Sequence, residues 1–257
     1  MNILNYKNFA LKIRKSILKV ANSSQCSHIG SNLSVVDILT VLYLKFLNSK
    51  KNYFILSKGH ACLAQYCVLK EMGYINEKTL NSFGKDGTIL MSHASHKVPG
   101  INISTGSLGH GLSAASGVAL GKKIKKKNSK VFVLLSDGEL DEGSNWEALL
   151  FCSHNKLNNL VIIVDYNKLQ SIDTVKKTLN LEPLKKKFEA FGCKVLNIDG
   201  HNLKQIFNSL NLKSPKPTVI IANTVKGKGV SFMEHSVLWH YKSLDKENYS
   251  KAIEHLK

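Results

Sequence analysis

Residues 131–170 read VFVLLSDGELDEGSNWEALLFCSHNKLNNLVIIVDYNKLQ, and this stretch contains a complete strand–helix–strand unit. Residues 131–135 and 160–165 are apolar runs of strand length, and a helical segment at 143–155 lies between them. Continuous apolar runs are typical of parallel strands that are covered on both faces. The stretch therefore predicts that the chain is built around a parallel sheet.

Strands and helices alternate along the remainder of the chain. Further apolar runs predict strands at 53–56, 194–198 and 218–223. Helical signals predict helices at residues 7–21, 34–46 with Ser34 as the N-cap, 60–72, 108–123, 185–190 and 202–211. Residues 84–107 lack periodicity, and a stretch of that length is more often functional than idle. We expect one α/β domain over residues 1–257, an open parallel sheet with helices on both faces, with a short C-terminal helical extension.

The composition is that of a soluble globular protein. The hydrophobic fraction is 43% and the charged fraction 21%. No apolar run approaches the roughly 18–20 residues that span a bilayer, and the N-terminal segment lacks a secretory signal pattern. The five cysteines are scattered and form no C-x-x-C pair. We therefore expect reduced thiols in a cytoplasmic protein.

The net charge of +18 has three possible explanations. Lysines are spread along the whole chain and are not interleaved with aromatic residues, so a bias in composition explains the charge most simply. An acidic partner protein, which such a charge would attract, is the second explanation. A nucleic-acid-binding module is a distant third, and we expect no nucleic-acid or membrane partner.

Polar residues follow two of the predicted strands. Asp137 lies two residues after the run 131–135. Asn167 lies two residues after the next run, 160–165, and about thirty residues after Asp137. A carboxylate and an amide oxygen are hard ligands suited to Mg²⁺. Gly138 would let a phosphate approach the backbone, and the helix that begins near Gly143 could also face an anion. Two plain turns would explain each residue separately, whereas a metal–diphosphate site explains them together.

Residues 136–170 resemble the thiamine-diphosphate motif, which opens with Gly-Asp-Gly and closes with Asn, with Ser136 in place of the first glycine. Three further stretches resemble blocks of the transketolase family and occur in the same order: SKGHACLAQY (57–66), MSHASHKVPGINISTGSLGHGLSAASGVALG (91–121) and NTVKGKGVSFMEHSVLWH (223–240). The similarity runs from about residue 21 to residue 240. The chain is therefore identified as a member of that family.

The resemblance implies the cofactor thiamine diphosphate and a divalent cation, Mg²⁺ with Ca²⁺ or Mn²⁺ as substitutes. The implied metal ligands are the side chains of Asp137 and Asn167 and the backbone carbonyl of Leu169. The implied cofactor-binding set is His60, Gly106, Ser107, Leu108, Asp137, Gly138, Glu142, Asn167 and His240. Glu142 and Glu147 match acidic positions that face the partner domain, but they are equally well explained as an acidic pair at a helix N-terminus. Lys226 and Lys228 could lie near phosphate or in a solvated loop.

The resemblance also assigns four histidines to the active site. The implied catalytic residues are His28, His60, His93 and His240, with His60 and His240 near the diphosphate and the other two near the donor's hydroxyls. Neutral imidazole can donate to one hydroxyl and accept from another, which suits a sugar substrate. His110 is left undecided, because it lies in a Gly-His-Gly block close to the expected cofactor.

The family's pyrimidine-binding and C-terminal domains have no counterpart in the 257 residues. We therefore expect the N-terminal subunit of a split transketolase, which transfers a two-carbon ketol unit from a ketose or ketose phosphate to an aldose or aldose phosphate. A partner chain, the C-terminal transketolase subunit with the two other domains, would complete it in an α2β2 assembly. The alternatives are the α subunit of a 2-oxo acid dehydrogenase, half of a 1-deoxyxylulose-phosphate-synthase-like enzyme, and a degenerate structural subunit.

Overall fold

The computed structural model describes residues 2–48 and 51–256, and a parallel sheet forms its centre. The strands of that sheet are β1 Tyr53–Leu56, β2 Val131–Ser136, β3 Leu160–Tyr166, β4 Lys194–Asp199 and β5 Thr218–Asn223. Their order across the sheet is β1-β2-β3-β5-β4, and each neighbouring pair is parallel. The open parallel sheet expected from the sequence is confirmed.

Helices connect the strands and cover the sheet. Their bounds are α1 Ile3–Ser24, α2 Ile29–Ser34, α3 Val36–Val41, α4 Cys62–Glu71, α5 Glu77–Leu80, α6 His110–Ile124, α7 Gly143–His154, α8 Val175–Thr178, α9 Leu184–Ala190, α10 Leu203–Asn211 and α11 Lys246–Glu254. Residues 84–107, all of which the structure describes, contain neither helix nor strand, as their lack of periodicity predicts. Within residues 2–48 and 51–256, none of the helices is long and apolar enough to cross a bilayer.

Alternate side chains of the central strands pack into two separate hydrophobic cores. In β2, Phe132 and Leu134 join the core that contains α1 and α4, whereas Val133 and Leu135 join the core that contains α6 and α7. Every residue of β2 and β3 is buried, as continuous apolar runs predict. The strand β4 differs, because it lies at the edge of the sheet and half of its residues are exposed.

The prediction that Ser34 begins a helix is wrong. Ser34 is the last residue of α2, and the chain continues through α3 into a short π-helical turn, Leu42–Phe46. The Ser34 hydroxyl donates to the buried carboxylate of Asp165, 2.7 Å away. A serine in a helix normally competes with the backbone for hydrogen bonds. Here a distant strand supplies the acceptor, which no local sequence pattern reveals.

Some of the lysines neutralise the ends of helices. In a parallel α/β fold the helices run opposite to the strands, so their C-terminal carbonyls collect at the edge where the strands begin. The ammonium group of Lys123 donates to the carbonyls of Asn155 and Lys156, just after α7. The ammonium of Lys130 donates to carbonyls of Leu210 and Leu212 at the end of α10. Cations at helix C-termini are stabilising, which gives part of the positive charge a structural role.

Candidate active site

The sheet register brings the two strand-end ligands to one edge. Ser136 of β2 pairs with Asp165 of β3, so Asp137 and Asn167 follow neighbouring strand ends. Both side chains are buried, with 2% and 6% of their residue surface exposed. The carboxylate of Asp137 accepts from the backbone N–H of Gly138 at 2.8 Å and of Lys168 at 2.6 Å. The loops after β2 and β3 therefore hold Asp137 in a fixed orientation.

A cavity of about 260 Å³ opens at this edge of the sheet. Most of the residues assigned from the sequence lie in its wall: His28, His60, His93, Gly106, Leu108, Asp137, Gly138, Asn167, Leu169 and His240. These residues come from segments that are far apart in the chain. The fold brings them together where the carboxyl ends of the strands meet the irregular stretch 84–107. Ligands of open parallel sheets bind at this kind of position.

Two residues of the cofactor-binding set lie outside the cavity wall. Ser107 and Glu142 are exposed, and the side chain of Glu142, at the N-cap of α7, makes no capping hydrogen bond. His110 and Glu147 are exposed as well. These side chains face solvent in the described chain, where a neighbouring protein could reach them.

The four histidines converge on the cavity. The ring centroid of His28 lies 5.4 Å from His60, 6.4 Å from His93 and 4.8 Å from His240. Burial, and then the nearby His93, Lys226 and Lys58, lowers the pKa of His28 to about 4. Burial and then Lys226 lower the pKa of His240 to about 3. The pKa of His60 is also lowered well below its usual value, first by burial and then by Lys58.

The lowered pKa values keep three of these imidazoles neutral at neutral pH. Each neutral ring offers one N–H donor and one acceptor nitrogen. The backbone of His28 has a φ of +64°, a region that non-glycine residues rarely adopt. Its N–H donates to the carbonyl of His240 at 2.9 Å. An unusual backbone held by a partner from the far end of the chain is typical of functional sites.

Glycine is required where the loop 104–109 meets His93. Gly106 has a φ of +141°, and a Cβ atom there would lie 2.8 Å from Cδ2 of the His93 ring. Any side chain at this position would displace the histidine. At Gly138 an added Cβ would lie 3.1 Å from Cγ of Gln170, so a side chain there would crowd the loop that follows β3.

Sequence reasoning missed a buried ion pair beneath the cavity. The ammonium of Lys58 lies 2.5 Å from the carboxylate of Asp165, and both side chains are fully buried. Asp165 also accepts from Thr224 and from the amide group of Asn167, the latter at 3.1 Å. Burial alone would raise the pKa of Asp165, but the charge of Lys58 and the hydrogen bonds from Lys58, Thr224 and Ser34 lower it below its usual value. A lysine two residues after a buried strand was the available signal.

Lys226 is buried beside the cavity, so it does not lie in a solvated loop, which was one of the two explanations left open by the sequence. Only 1% of its surface is exposed. Its ammonium donates to the carbonyls of Leu169 at 3.2 Å and Gln170 at 3.1 Å, and lies 2.9 Å from Nδ1 of His240. Burial, and then the charge of Lys58, lowers the pKa of Lys226 to about 8. The ammonium of Lys228 instead lies 3.4 Å from Glu234.

The implied divalent cation fits the chemistry of these donors. Asp137 offers a carboxylate, Asn167 an amide oxygen that accepts from Leu169 N–H, and the Leu169 carbonyl already faces the ammonium of Lys226. Burial, and then the charge of Asp165, raises the pKa of Asp137 to about 7, so a nearby cation would favour its charged form. No group of three or more His, Cys, Asp or Glu side chains in residues 2–48 and 51–256 could hold a metal. The candidate site therefore depends on mixed oxygen donors.

The cavity thus combines two kinds of chemistry. Lys226 and the oxygen donors of the loops after β2 and β3 suit an anion together with a divalent cation. The histidine rings in the same wall suit hydroxyl groups.

The protein-family description "Transketolase, thiamine diphosphate binding domain" matches residues 6–256. The chain is 42% identical to an apulose-4-phosphate transketolase subunit of Actinobacillus succinogenes, over 95% of this chain and 92% of that protein. It is 36% identical to the 6-deoxy-6-sulfo-D-fructose transketolase subunit SqwG of a Clostridium species, over 95% and 93%. The transketolase structure from Campylobacter jejuni superposes with a TM-score of 0.94 at 30% identity, covering all of this chain but 43% of that one.

Proposed function

The chain belongs to the transketolase family, and from that premise we propose that it binds the cofactor diphosphate for a two-chain transketolase. The resemblance inferred from the sequence motifs is confirmed, as is the thiamine-diphosphate-binding fold. The chain is a subunit of a ketol-transferring enzyme. One observation carries the assignment of the site: strand-end oxygen donors and four histidines line a single cavity.

In this proposal the chain's own residues hold the diphosphate end of the cofactor. Asp137, Asn167 and the carbonyl of Leu169 bind Mg²⁺, and the ammonium groups of Lys58 and Lys226 offset the negative charge of the diphosphate. His60 and His240 lie next to these cations and contact the diphosphate. When bound, thiamine diphosphate supplies the carbon nucleophile that takes up the two-carbon ketol unit.

The remaining two histidines orient the sugar. His28 and His93 would donate to and accept from the donor's hydroxyls and so fix the orientation of the sugar in the cavity. The low pKa of His28 supports this role, because a neutral ring can accept a hydroxyl proton. Such hydrogen bonds position the substrate without adding charge to the cavity.

A second chain completes the enzyme in this proposal. Two relatives that this chain matches over 92% and 90% of their length are each named as one subunit of an apulose-4-phosphate transketolase, which supports a partner of the pyrimidine-binding and C-terminal type in an α2β2 assembly. Exposed residues at the start of α7, Glu142 and Glu147, are suited to face that partner, and Leu150 and Phe151 extend the exposed surface along the helix. The five free cysteines fit a cytoplasmic enzyme.

The donor sugar is the finer part of the proposal. The relatives are named for apulose 4-phosphate and for 6-deoxy-6-sulfo-D-fructose, and the human relative, at 35% identity over 42% of its length, is named simply transketolase. We place a phosphorylated ketose first, because two relatives, at 42% and 37% identity, are named for one. Apulose 4-phosphate is the first donor to test.

The decisive experiment co-purifies the chain with a partner subunit of about 300 residues, the size that two further domains imply. The pair is supplied with thiamine diphosphate, Mg²⁺, an aldose phosphate and, in turn, apulose 4-phosphate, the sulfo-sugar or xylulose 5-phosphate. We expect a product two carbons longer than the acceptor. Failure of the wild-type pair with every donor would refute ketol transfer by this chain.

A matched pair of variants tests the metal site in the same assay. Asp137→Ala should abolish activity, whereas Asp173→Ala should retain it, because Asp173 pairs with Lys177 on the surface. Full activity of the Asp137→Ala complex would refute the metal assignment while leaving the reaction intact.

A further inference from the structure

A buried glutamate lies behind the cavity wall and contacts none of the proposed ligands directly. Glu139 is completely buried. One of its carboxylate oxygens accepts from the hydroxyl of Ser57 and from the backbone N–H of Gly109 at 3.0 Å, and the other accepts from the backbone N–H of Ser136 at 3.2 Å. Sequence reasoning did not single out this residue.

The three donors belong to three segments that form the cavity. Ser57 directly precedes Lys58 and the His60 turn, Ser136 directly precedes Asp137, and Gly109 ends the loop that contains Gly106 and Leu108. We propose that Glu139 is a positioning residue that fastens these three segments to one another and so fixes the shape of the cofactor cavity. The expected effect on cofactor binding rests on the proposed function. The role of Glu139 in holding the three segments together does not depend on that function.

The glutamate is itself held firmly in place. The carbonyl of Glu139 accepts from the amide group of Asn145 at 2.6 Å, and Asn145 is fully buried in α7. The backbone of this short turn is therefore anchored to a long helix. A carboxylate on an anchored backbone can hold the neighbouring segments in place.

The fastened segments also touch one another with little free space. A Cβ atom added at Gly59 would lie 2.7 Å from the backbone N of Gly106, and one added at Gly111 would overlap the side chain of Ser57. A displacement of the loop 104–109 would therefore be transmitted to the turn that carries His60. Glu139 bonds to both segments, through Ser57 and through Gly109.

Only a carboxylate satisfies all three donors. Both oxygens of Glu139 face N–H or O–H groups, whereas a glutamine offers one acceptor oxygen and one NH₂ group. Whichever way that amide is turned, the backbone N–H of either Gly109 or Ser136 faces another N–H group. Glu139→Gln therefore keeps the size of the side chain and removes one buried acceptor, which costs a hydrogen bond to a charged group.

Amide hydrogen exchange of the full chain without cofactor tests the fastening directly. We expect Glu139→Gln to speed exchange of the Gly109 amide and its neighbours in residues 105–111 by roughly 10- to 100-fold, the effect of losing one such bond. Ser57→Ala removes one donor and keeps the carboxylate, so exchange in the same segment should rise less. Glu189→Gln, on the exposed side of α9, is the matched control and should not change it. Unchanged exchange at 105–111 in both Glu139→Gln and Ser57→Ala would overturn the proposal.

The consequence for the cofactor is measured in the complex with the partner subunit. Glu139→Gln should raise the half-saturating concentration of thiamine diphosphate by about tenfold or more, with kcat at saturating cofactor within about threefold of wild type. An equal loss of kcat at all cofactor concentrations would contradict positioning. If the wild-type complex binds no thiamine diphosphate, the proposed function fails, and the exchange experiment still decides the role of Glu139.

Discussion

The ammonium group of Lys58 and the carboxylate of Asp165 form an ion pair of 2.5 Å that is fully buried beneath the candidate active site. The carboxylate oxygen bound by Lys58 also accepts from the amide of Asn167, whose own oxygen accepts from Leu169 N–H. Lys58 therefore fixes Asp165, and Asp165 fixes which end of the Asn167 amide faces the cavity. A charge pair in the interior thus orients a candidate metal ligand.

Breaking this pair should destabilise the protein strongly. Lys58→Met leaves the carboxylate of Asp165 buried without its cation, and we expect the free energy of unfolding to fall by about 3–5 kcal/mol. Denaturant unfolding of the chain measures this value. Lys185→Met, which removes an exposed ion pair with Glu189, should change it by less than about 1 kcal/mol.

The double variant Lys58→Met/Asp165→Asn measures how strongly the two residues interact with each other. The double variant no longer has an uncompensated buried carboxylate. We therefore expect its loss in free energy of unfolding to be smaller than the summed losses of the two single variants by about 0.5–3 kcal/mol. Strict additivity of the two changes would show that Lys58 and Asp165 are not coupled.

Lys226 and Lys228 should differ sharply, although both lie in the Lys-Gly-Lys-Gly stretch. Lys226 is buried at the cavity and bonded to the carbonyl of Leu169, so Lys226→Met should raise the half-saturating concentration of thiamine diphosphate by roughly 10- to 100-fold. Lys228→Met should change it by less than about threefold, because Lys228 pairs with Glu234. Cofactor titrations of the complex measure both. Equal effects of the two changes would contradict the structure-based distinction.

The strand-end site could be predicted from local sequence because its parts follow general rules. Apolar runs fix the parallel strands, carboxyl ends of neighbouring strands meet at one edge, and Asp137 and Asn167 follow two of those ends. The meeting of His28 with His240 could not be derived in that way, since 212 residues separate them in the chain (240 − 28). Their assignment came from the family resemblance.

The buried charges were missed for a physical reason. Lys58, Glu139 and Asp165 have charges that are usually exposed, and their burial is tolerated only because partners arrive from several other elements. Ser34 was assigned to a helix start for the same reason, since its true acceptor lies on β3. Partners at long sequence separation leave no periodic or positional pattern.

The histidines should divide into two kinetic groups. His60 lies near Lys58 and His240 contacts Lys226, the two ammonium groups assigned to the diphosphate. His60→Asn and His240→Asn should therefore raise the cofactor's half-saturating concentration. His28→Asn and His93→Asn should instead lower kcat/KM for the donor sugar by about tenfold, the value of one to two hydrogen bonds. Steady-state kinetics with either the cofactor or the donor varied separate the groups.

The control for this division is His154→Asn at the exposed end of α7, which should resemble wild type. A uniform loss in all four cavity variants, with no division between cofactor and donor, would show that the assigned roles are wrong.

The stability of the chain should depend on pH through His28. Its pKa is about 4 in the folded chain and near 6.5 when unfolded, so the folded state resists protonation. The stabilising contribution is complete above about pH 6.5 and is lost as the pH falls towards 4. The destabilisation caused by His28→Asn should therefore be smaller at pH 5 than at pH 7.5. Denaturant unfolding of both proteins at the two pH values measures the difference, and a constant difference would mean that His28 titrates normally.

Removal of the divalent cation should abolish cofactor binding and activity together. The diphosphate would then face the carboxylate of Asp137 without a cation between them, and the two negative charges would repel each other. Dialysis of the complex against EDTA should eliminate binding of thiamine diphosphate, and added Mg²⁺ should restore it. Mn²⁺ and Ca²⁺ should also restore it, because carboxylate, amide and carbonyl oxygens accept each of these hard cations.

The ligand variants show whether this requirement belongs to the proposed residues. Asp137→Asn keeps the shape of the side chain but removes the charge, so the half-saturating Mg²⁺ concentration should rise by about tenfold or more. Asp141→Asn changes a carboxylate of the same loop that bonds to Gln170 and lies outside the cavity wall, and it should alter the Mg²⁺ requirement by less than about threefold. If both changes had the same effect, the cation would be bound by the loop's general negative charge rather than by Asp137. A large effect confined to Asp137 would instead identify it as a ligand, because its carboxylate is the one that faces the cavity.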